Sequence, residues 1–190
     1  MEARLAQARK SIGAQRNPAS EKAILDAARD LLAEQGLAGF SIEAVARRAR
    51  AGKPTIYRWW PDRTRLLLAV YAGLKDEMVH PETGTLEGDV RGFIAHLFEF
   101  WSGTPAGPVI RSVIAEAQTN AEASAAFLAF HRERNAETSA RFARHGLALD
   151  KAQAIAEIAV SYAWGQLLTG RRPNDAQIAR LTEILIRGVG

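Results

Sequence analysis

The 190-residue chain contains no cysteine. That absence removes disulfides, thiol catalysis and cysteine-ligated zinc together. Long apolar runs are also missing. Arg, Glu or Asp interrupts every candidate before it reaches the roughly 18 residues a membrane span requires. The opening Met1-Glu2-Ala3-Arg4 has no apolar stretch behind it and does not read as a secretory signal, so a cytoplasmic location is expected. Histidine is scarce. Its four occurrences, at 80, 96, 131 and 145, include no pair at the i, i+4 spacing of a helical metal site. His96 and Glu99 stand at i, i+3, half of a carboxylate–histidine metal pair, and no second motif matches them. A Gly-rich phosphate loop is absent, and no serine sits in a nucleophile-elbow context. Neither catalysis nor a cofactor nor a metal is expected.

What is present is apolar content and an uneven charge. Hydrophobic residues make up 47% of the chain against 24% charged, enough to bury a core. Residues 1–65 hold 13 Lys/Arg and 7 Asp/Glu, a balance of +6, whereas residues 66–190 hold 12 and 14, a balance of −2. A basic front on a near-neutral body suits contact with a polyanion.

Residues 1–19 lack apolar periodicity, carry Arg4, Arg9, Lys10 and Arg16, and read as a flexible basic arm. From Ser20, taken as an N-cap, the pattern is helical. Ile24, Ala28, Leu31 and Leu32 form one stripe, and Gly36 and Gly39 bracket its end. A second helix starts at Ser41 with Ile42, Val45, Ala46 and Ala49 inward. A third runs from Lys53 to Trp60, and Pro61-Asp62 separates it from a fourth that carries Leu66, Leu67, Val70, Tyr71 and Leu74. The loop 80–86 divides a 20–79 head from an 80–190 body. The body reads as five helices at about 87–101, 108–118, 121–144, 150–169 and 175–187. With no strand pattern and no repeat, the fold class is all-α with about nine helices.

Two short helices joined by a tight turn fit a helix-turn-helix. At 100° per residue, Ile56, Trp59 and Trp60 point back toward the first two helices. Pro54, Tyr57 and Arg58 lie on the other side, flanked by Lys53 and Thr55. A cation, a hydroxyl, a phenol, a guanidinium and an apolar ring suit phosphate contact and base-edge readout in a major groove. Proline at the helix start costs little, because its missing N–H would have had no partner there. Ser41 sets a hydroxyl beside the free N–H groups of one helix start, and Arg63 opens the next. Both are candidate phosphate clamps. Arg47, Arg48 and Arg50 add positive charge near the turn.

Three segments carry a resemblance. They are Ile24-Leu-Asp-Ala-Ala-Arg-Asp-Leu-Leu-Ala-Glu-Gln-Gly36, Phe40-Ser-Ile-Glu-Ala-Val-Ala46 and Gly52-Lys-Pro-Thr-Ile-Tyr-Arg-Trp-Trp-Pro-Asp-Arg63. Residues from about Glu21 to Tyr71 resemble the tetracycline-repressor (TetR) family of bacterial regulators. The resemblance implies that Lys53, Pro54, Thr55, Tyr57 and Arg58 face the DNA groove. It also implies that Ser41, Tyr57 and Arg63 hold phosphates. One departure stands out: the turn reads Ala49-Arg50-Ala51 where the family usually has Ala-Gly-Val. An arginine forced to positive φ is strained.

The resemblance further implies a helical dimerisation and effector-binding body, with weaker similarity in Val113-Ile-Ala-Glu-Ala-Gln118 and Leu167-Leu-Thr-Gly-Arg-Arg-Pro173. Ile155, Ile158, Ala159 and Tyr162 share a face of the eighth helix. Ile178, Leu181 and Leu185 share one of the ninth, with Ile184 adjacent. These faces suit a four-helix interface in a homodimer. Candidate effector contacts are His96, Phe98, Trp101, Phe127, Phe130, His131 and Tyr162, whose character leans toward an apolar or aromatic compound. The expected function is a one-component regulator, a repressor that holds a palindromic operator as a dimer and is released by a small molecule. Two alternatives stay open. One is an effector-independent DNA binder or activator. The other is a small-molecule or protein-binding module whose head no longer reads DNA.

Overall fold

The computed structural model describes residues 17–78, 80 and 82–188. Among them are nine helices and no strand. The head comprises α1 (Pro18–Gln35), α2 (Ile42–Ala49) and α3 (Lys53–Trp59). The bridging α4 (Arg63–Asp76) follows. The body comprises α5 (Leu86–Gly103), α6 (Ala106–Ala117), α7 (Ala121–Ala143), α8 (Leu149–Leu168) and α9 (Asp175–Arg187). No helix of the described residues is long and apolar enough to cross a membrane.

The first helix begins two residues before the expected Ser20. Asn17 is its cap, the side-chain oxygen accepting from the Ala19 amide at 3.0 Å, and Pro18 occupies the first turn where its missing N–H costs nothing. The expected basic arm, with Arg4, Arg9, Lys10 and Arg16, otherwise lies outside the described residues. Gly36 ends α1 at φ +62°, ψ −164°, a conformation open to little but glycine.

One apolar core runs from the head through α4 into the body. Ile24, Ala28, Val45 and Ile56 are fully buried in the head, as are Leu66 and Leu67 on α4 and Val90, Ile94 and Val109 in the body. α4 packs on α1 at one side and on α6 and α7 at the other, so it belongs to both halves. The Trp101 indole N–H donates to the Tyr71 hydroxyl at 2.9 Å, pinning α4 to α5. At the α5–α6 corner, a side chain on Gly107 would meet the Trp101 carbonyl oxygen at 2.4 Å, so only glycine permits that approach.

The last two helices use their apolar residues differently from the expectation. Ile155, Ala159, Ile178 and Leu185 are buried within the chain, because α8 packs on α7 and α5 while α9 packs on α5. Ile158 and Ile184, by contrast, stay exposed at 50% and 60%.

Candidate functional site

The reading helix is built from the turn that precedes it. Ser41 caps α2, its hydroxyl accepting from the Ala44 amide at 3.1 Å. Arg50 ends α2 at φ +51°, ψ +37°, and it is the only non-glycine at positive φ among the described residues. The Ala51 amide donates to the Ala46 carbonyl at 3.0 Å and the Arg50 amide to Arg47 at 3.3 Å. That is the Schellman pattern of a helix end, with arginine in the position glycine ordinarily fills. The departure noted in the sequence therefore leaves the turn's hydrogen bonding intact and puts its cost into the Arg50 backbone.

Beyond the turn, α3 separates its faces as its spacing predicts. Ile56 is fully buried and Trp60 is 7% exposed, while Tyr57 is 45% exposed with Lys53, Pro54 and Arg58 also on the surface and Thr55 half-buried. Trp59 and Trp60 stack at 6.0 Å as part of the apolar core, and α3 packs on α2. The Lys53 ammonium pairs with Glu43 at 2.7 Å, which ties the start of α3 to α2. That contact holds Glu43 below the usual carboxylate range and raises Lys53. At the start of α4 the Arg63 guanidinium lies 5.4 Å over the Phe40 ring and 3.9 Å from Glu116 of α6. The phenyl face orients it, and the long contact to Glu116 leaves it open to a second anion.

The three arginines near the turn have different uses. Arg48 pairs with Glu34 and, at 3.5 Å, with Asp30, so it clamps α2 to α1. Arg47 and Arg50 are exposed and make no ion pair among the described residues. The sequence offered no sign of this division, because the rotation of α2 against α1 decides it.

Two neighbouring cavities of the body share Phe93 and Thr138. The outer one, about 190 Å³, lies between the loop before α5 and the end of α7, with His80, Asp89, Arg141 and His145 in its wall. Asp89 anchors it by accepting from the Thr83 amide and hydroxyl, both at 2.7 Å, and by contacting the His145 ring at 2.8 Å. His80 stacks on Phe93 at 6.3 Å. Burial, with Arg141, Lys75 and His96 nearby, pushes it down to about 4. The inner cavity, about 30 Å³, has room for about one water. It sits among α4, α5, α7 and α8, walled by Tyr71, Trp101, Phe130 and Trp164 and edged by Lys75, His131, Arg134 and Asn135.

Of the seven candidate effector contacts, the structure brings Trp101, Phe130 and His131 to the inner cavity. Phe127 packs behind it against His131 and Trp164. His96 bonds the Gly92 carbonyl of its own helix at 2.8 Å, and Tyr162 lies half-buried on α8 away from both cavities. Phe98 packs edge-to-face on Trp101 at 5.7 Å and lines a separate groove with Pro108, Arg111 and Leu167. The sequence reading missed Tyr71, Lys75, Arg134 and Asn135. A signal existed: His131, Arg134, Asn135 and Thr138 follow i, i+3, i+4, i+7 and form one polar stripe on α7. A polar stripe is ordinarily the solvent face of a helix; here it turns inward.

A helix-turn-helix head on an all-helical body defines a one-chain regulator of the DNA-binding type. The comparisons name the family. Residues 24–70 match the description "Bacterial regulatory proteins, tetR family", and residues 80–185 match "Tetracyclin repressor-like, C-terminal domain". The chain belongs to the tetR family. It is similar to YdeS of Bacillus subtilis (strain 168), described as an uncharacterized HTH-type transcriptional regulator. Identity is 32% over 107 residues, which are 56% of this chain and 54% of that protein. The chain thus spans about half the length of that relative. Among solved structures it is similar to the TetR family transcription regulator SCO0332, with a TM-score of 0.74 and 26% identity over 90% of this chain and 98% of the other. The multidrug binding protein EbrR, complexed with imidazole, shares the fold at a TM-score of 0.65 and 18% identity, covering 92% of each chain.

Proposed function

We propose that the protein is a homodimeric transcription regulator, a repressor that holds a palindromic operator and is released when a small molecule enters its body. The observation that carries this is α3, one face sealed into the head by Ile56 and Trp60 and the other presenting Lys53, Pro54, Tyr57 and Arg58 to solvent, with Thr55 half-buried at its edge. On that reading Tyr57 and Arg58 meet base edges and phosphates in the major groove, Pro54 packs on a thymine methyl, and Lys53 exchanges Glu43 for a phosphate. Ser41 and Arg63 clamp the backbone on either side.

Dimerisation uses what the monomer leaves uncovered. On α8, Ala154, Ile158, Ser161, Gly165 and Leu168 form an uncharged, largely exposed stripe at alternating spacings of four and three. Leu181 and Ile184 continue it on α9. Two copies of this surface form a four-helix interface, and the pair sets two reading helices to successive grooves about 34–36 Å apart.

The inner cavity supplies the release. Tyr71 and Lys75 in its wall sit on the same helix as Arg63, and 12 residues at 1.5 Å each separate Lys75 from that clamp by about 18 Å. A ligand that displaces α4 therefore moves the reading head. By linkage, operator and effector weaken each other's binding by the same factor.

The test is selection of bound duplexes from a random pool. The expected product is a palindrome with half-sites about one helical turn apart. Recovery of no preferred sequence, with weak and steeply salt-dependent binding, rejects the reading.

A further inference from the structure

The inner cavity says more about its ligand than the aromatic walls do. Every ionised group in its lining is a cation, and no Asp or Glu contributes to it. Lys75 sits half-buried with its ammonium 6.0 Å over the Phe93 ring and forms no ion pair among the described residues. Burial, reinforced by Arg134 and Arg141 and opposed by Glu137 and Asp76, pushes it down to about 8. An ammonium half-buried beside two guanidiniums, with no ion pair of its own, favours an incoming anion.

Neighbouring polar groups in the same lining are also left unpaired. Arg134 meets Asp76, Glu133 and Glu137 at 3.3, 3.5 and 3.1 Å, all carboxylates on the solvent side, while its Nε is buried with no acceptor. The Asn135 amide oxygen and His131 Nε2 are buried without a partner as well. Tyr71 accepts from Trp101, and its own proton has no acceptor among the described residues. Native interiors rarely leave this many polar atoms unpaired on one wall. Three of these groups are donors in search of an acceptor, namely the Lys75 ammonium, the Arg134 Nε–H and the Tyr71 hydroxyl.

We infer that the effector is an organic anion, a carboxylate joined to a flat or elongated apolar body. Its charged end lies against Lys75 and Arg134 and its body between Trp101, Phe130 and Trp164. This rests on the reading of the inner cavity as the effector site. A space of about 30 Å³ does not admit such a molecule as it stands. Phe93 divides it from the outer cavity, so a turn of that ring joins the two and brings the anion in beside Lys75.

The test titrates the full chain with two probe series followed by tryptophan fluorescence. One series is 2-naphthoate, 2-naphthylmethanol and 2-naphthylmethylammonium. The other is octanoate, octanol and octylammonium. In at least one series the carboxylate is expected to bind about tenfold or more tighter than its alcohol, with the ammonium weakest. Lys75→Met should erase that preference while leaving the alcohol's affinity within about threefold, and Lys75→Arg should retain it. Circular dichroism checks that each variant is folded. If Lys75→Met does not fold, Lys75→Arg and the wild-type preference still decide. An alcohol or ammonium that binds as tightly as the carboxylate overturns the inference and leaves the cavity as an effector site. Silence from all six probes, in protein that still binds operator, overturns both.

Discussion

The head and the body treat their polar groups in opposite ways. In the head, charged side chains are paired wherever packing depends on them. Arg48 meets Glu34 and Asp30 across the α1–α2 contact, and Arg29 reaches Glu77 with two 2.7 Å bonds that tie α1 to the end of α4. On its outside, next to α3, Arg47 and Arg50 stand exposed with no ion pair among the described residues. In the body, unpaired donors and acceptors are on the inside, along the α7 stripe of His131, Arg134 and Asn135. A surface that binds a rod-like polyanion has its open valences outward. A cavity that binds a small molecule has them inward. The two halves thus differ in where they are incomplete, and each gap faces the ligand proposed for it.

Breaking the head's sealed face should have the largest effect. Trp60→Ala removes a buried indole that stacks on Trp59, and a loss of about 3–5 kcal/mol in unfolding free energy is expected. Urea unfolding checks it, and operator binding should vanish with the fold of α3. Arg58→Ala costs about 1–3 kcal/mol of operator affinity if the guanidinium reads a guanine.

The body should respond in the opposite direction. Asn135→Leu removes a buried amide oxygen that has no hydrogen-bond partner among the described residues and is expected to stabilise the fold by about 1 kcal/mol. The same variant should bind effector less well, so a destabilised Asn135→Leu protein would mean that the amide has a structural partner. A similar gain, about 1 kcal/mol, is expected from Arg50→Gly, which relieves positive φ in the turn. The denaturant midpoint should rise with an unchanged slope.

The smallest effect is a pH dependence. The His80 proton affinity is pushed down to about 4 in the folded chain against an ordinary value near 6.5, because its ring is partly buried beside Arg141 and Lys75. As pH falls from 6.5 toward 4 the unfolded chain takes up this proton first, so the His80 contribution is complete above 6.5 and is lost across that window. The ring is only half-buried, and solvent screening trims the contribution to about 1 kcal/mol. His131 is shifted down as well, chiefly by burial, and adds to the slope. Unfolding midpoints at pH 7.5 and 5 should therefore differ more in the wild type than in His80→Gln.

Much of the head was legible because its signals are local. The 100° spacing separated Ile56 and Trp60 from Tyr57 and Arg58. Ser41 announced a cap, and Arg50 in a glycine position announced strain. The cavity was less legible because it depends on how helices distant in sequence rotate against one another. Trp101, Phe130 and His131 were named from residue type alone. Lys75 was hidden in the last turn of α4, after the apolar run 66–74, and Arg134 and Asn135 in a stripe that binary patterning assigns to solvent. The terminal helices show the same limit. Ile155 and Ile158 are equally apolar and three residues apart, yet one is buried and the other half-exposed.

The claim that the outer face of α3 reads sequence is tested most directly by a base-substitution series across the selected operator, measured with wild type, Arg58→Ala and Arg63→Ala. Wild type should lose about 1–3 kcal/mol at one symmetric pair of positions to which Arg58→Ala is indifferent. Arg63→Ala should weaken every sequence alike and flatten the salt slope by about one unit. If Arg58→Ala also weakens all sequences alike and keeps the wild-type preferences, α3 is a phosphate clamp and the account of its reading face is contradicted.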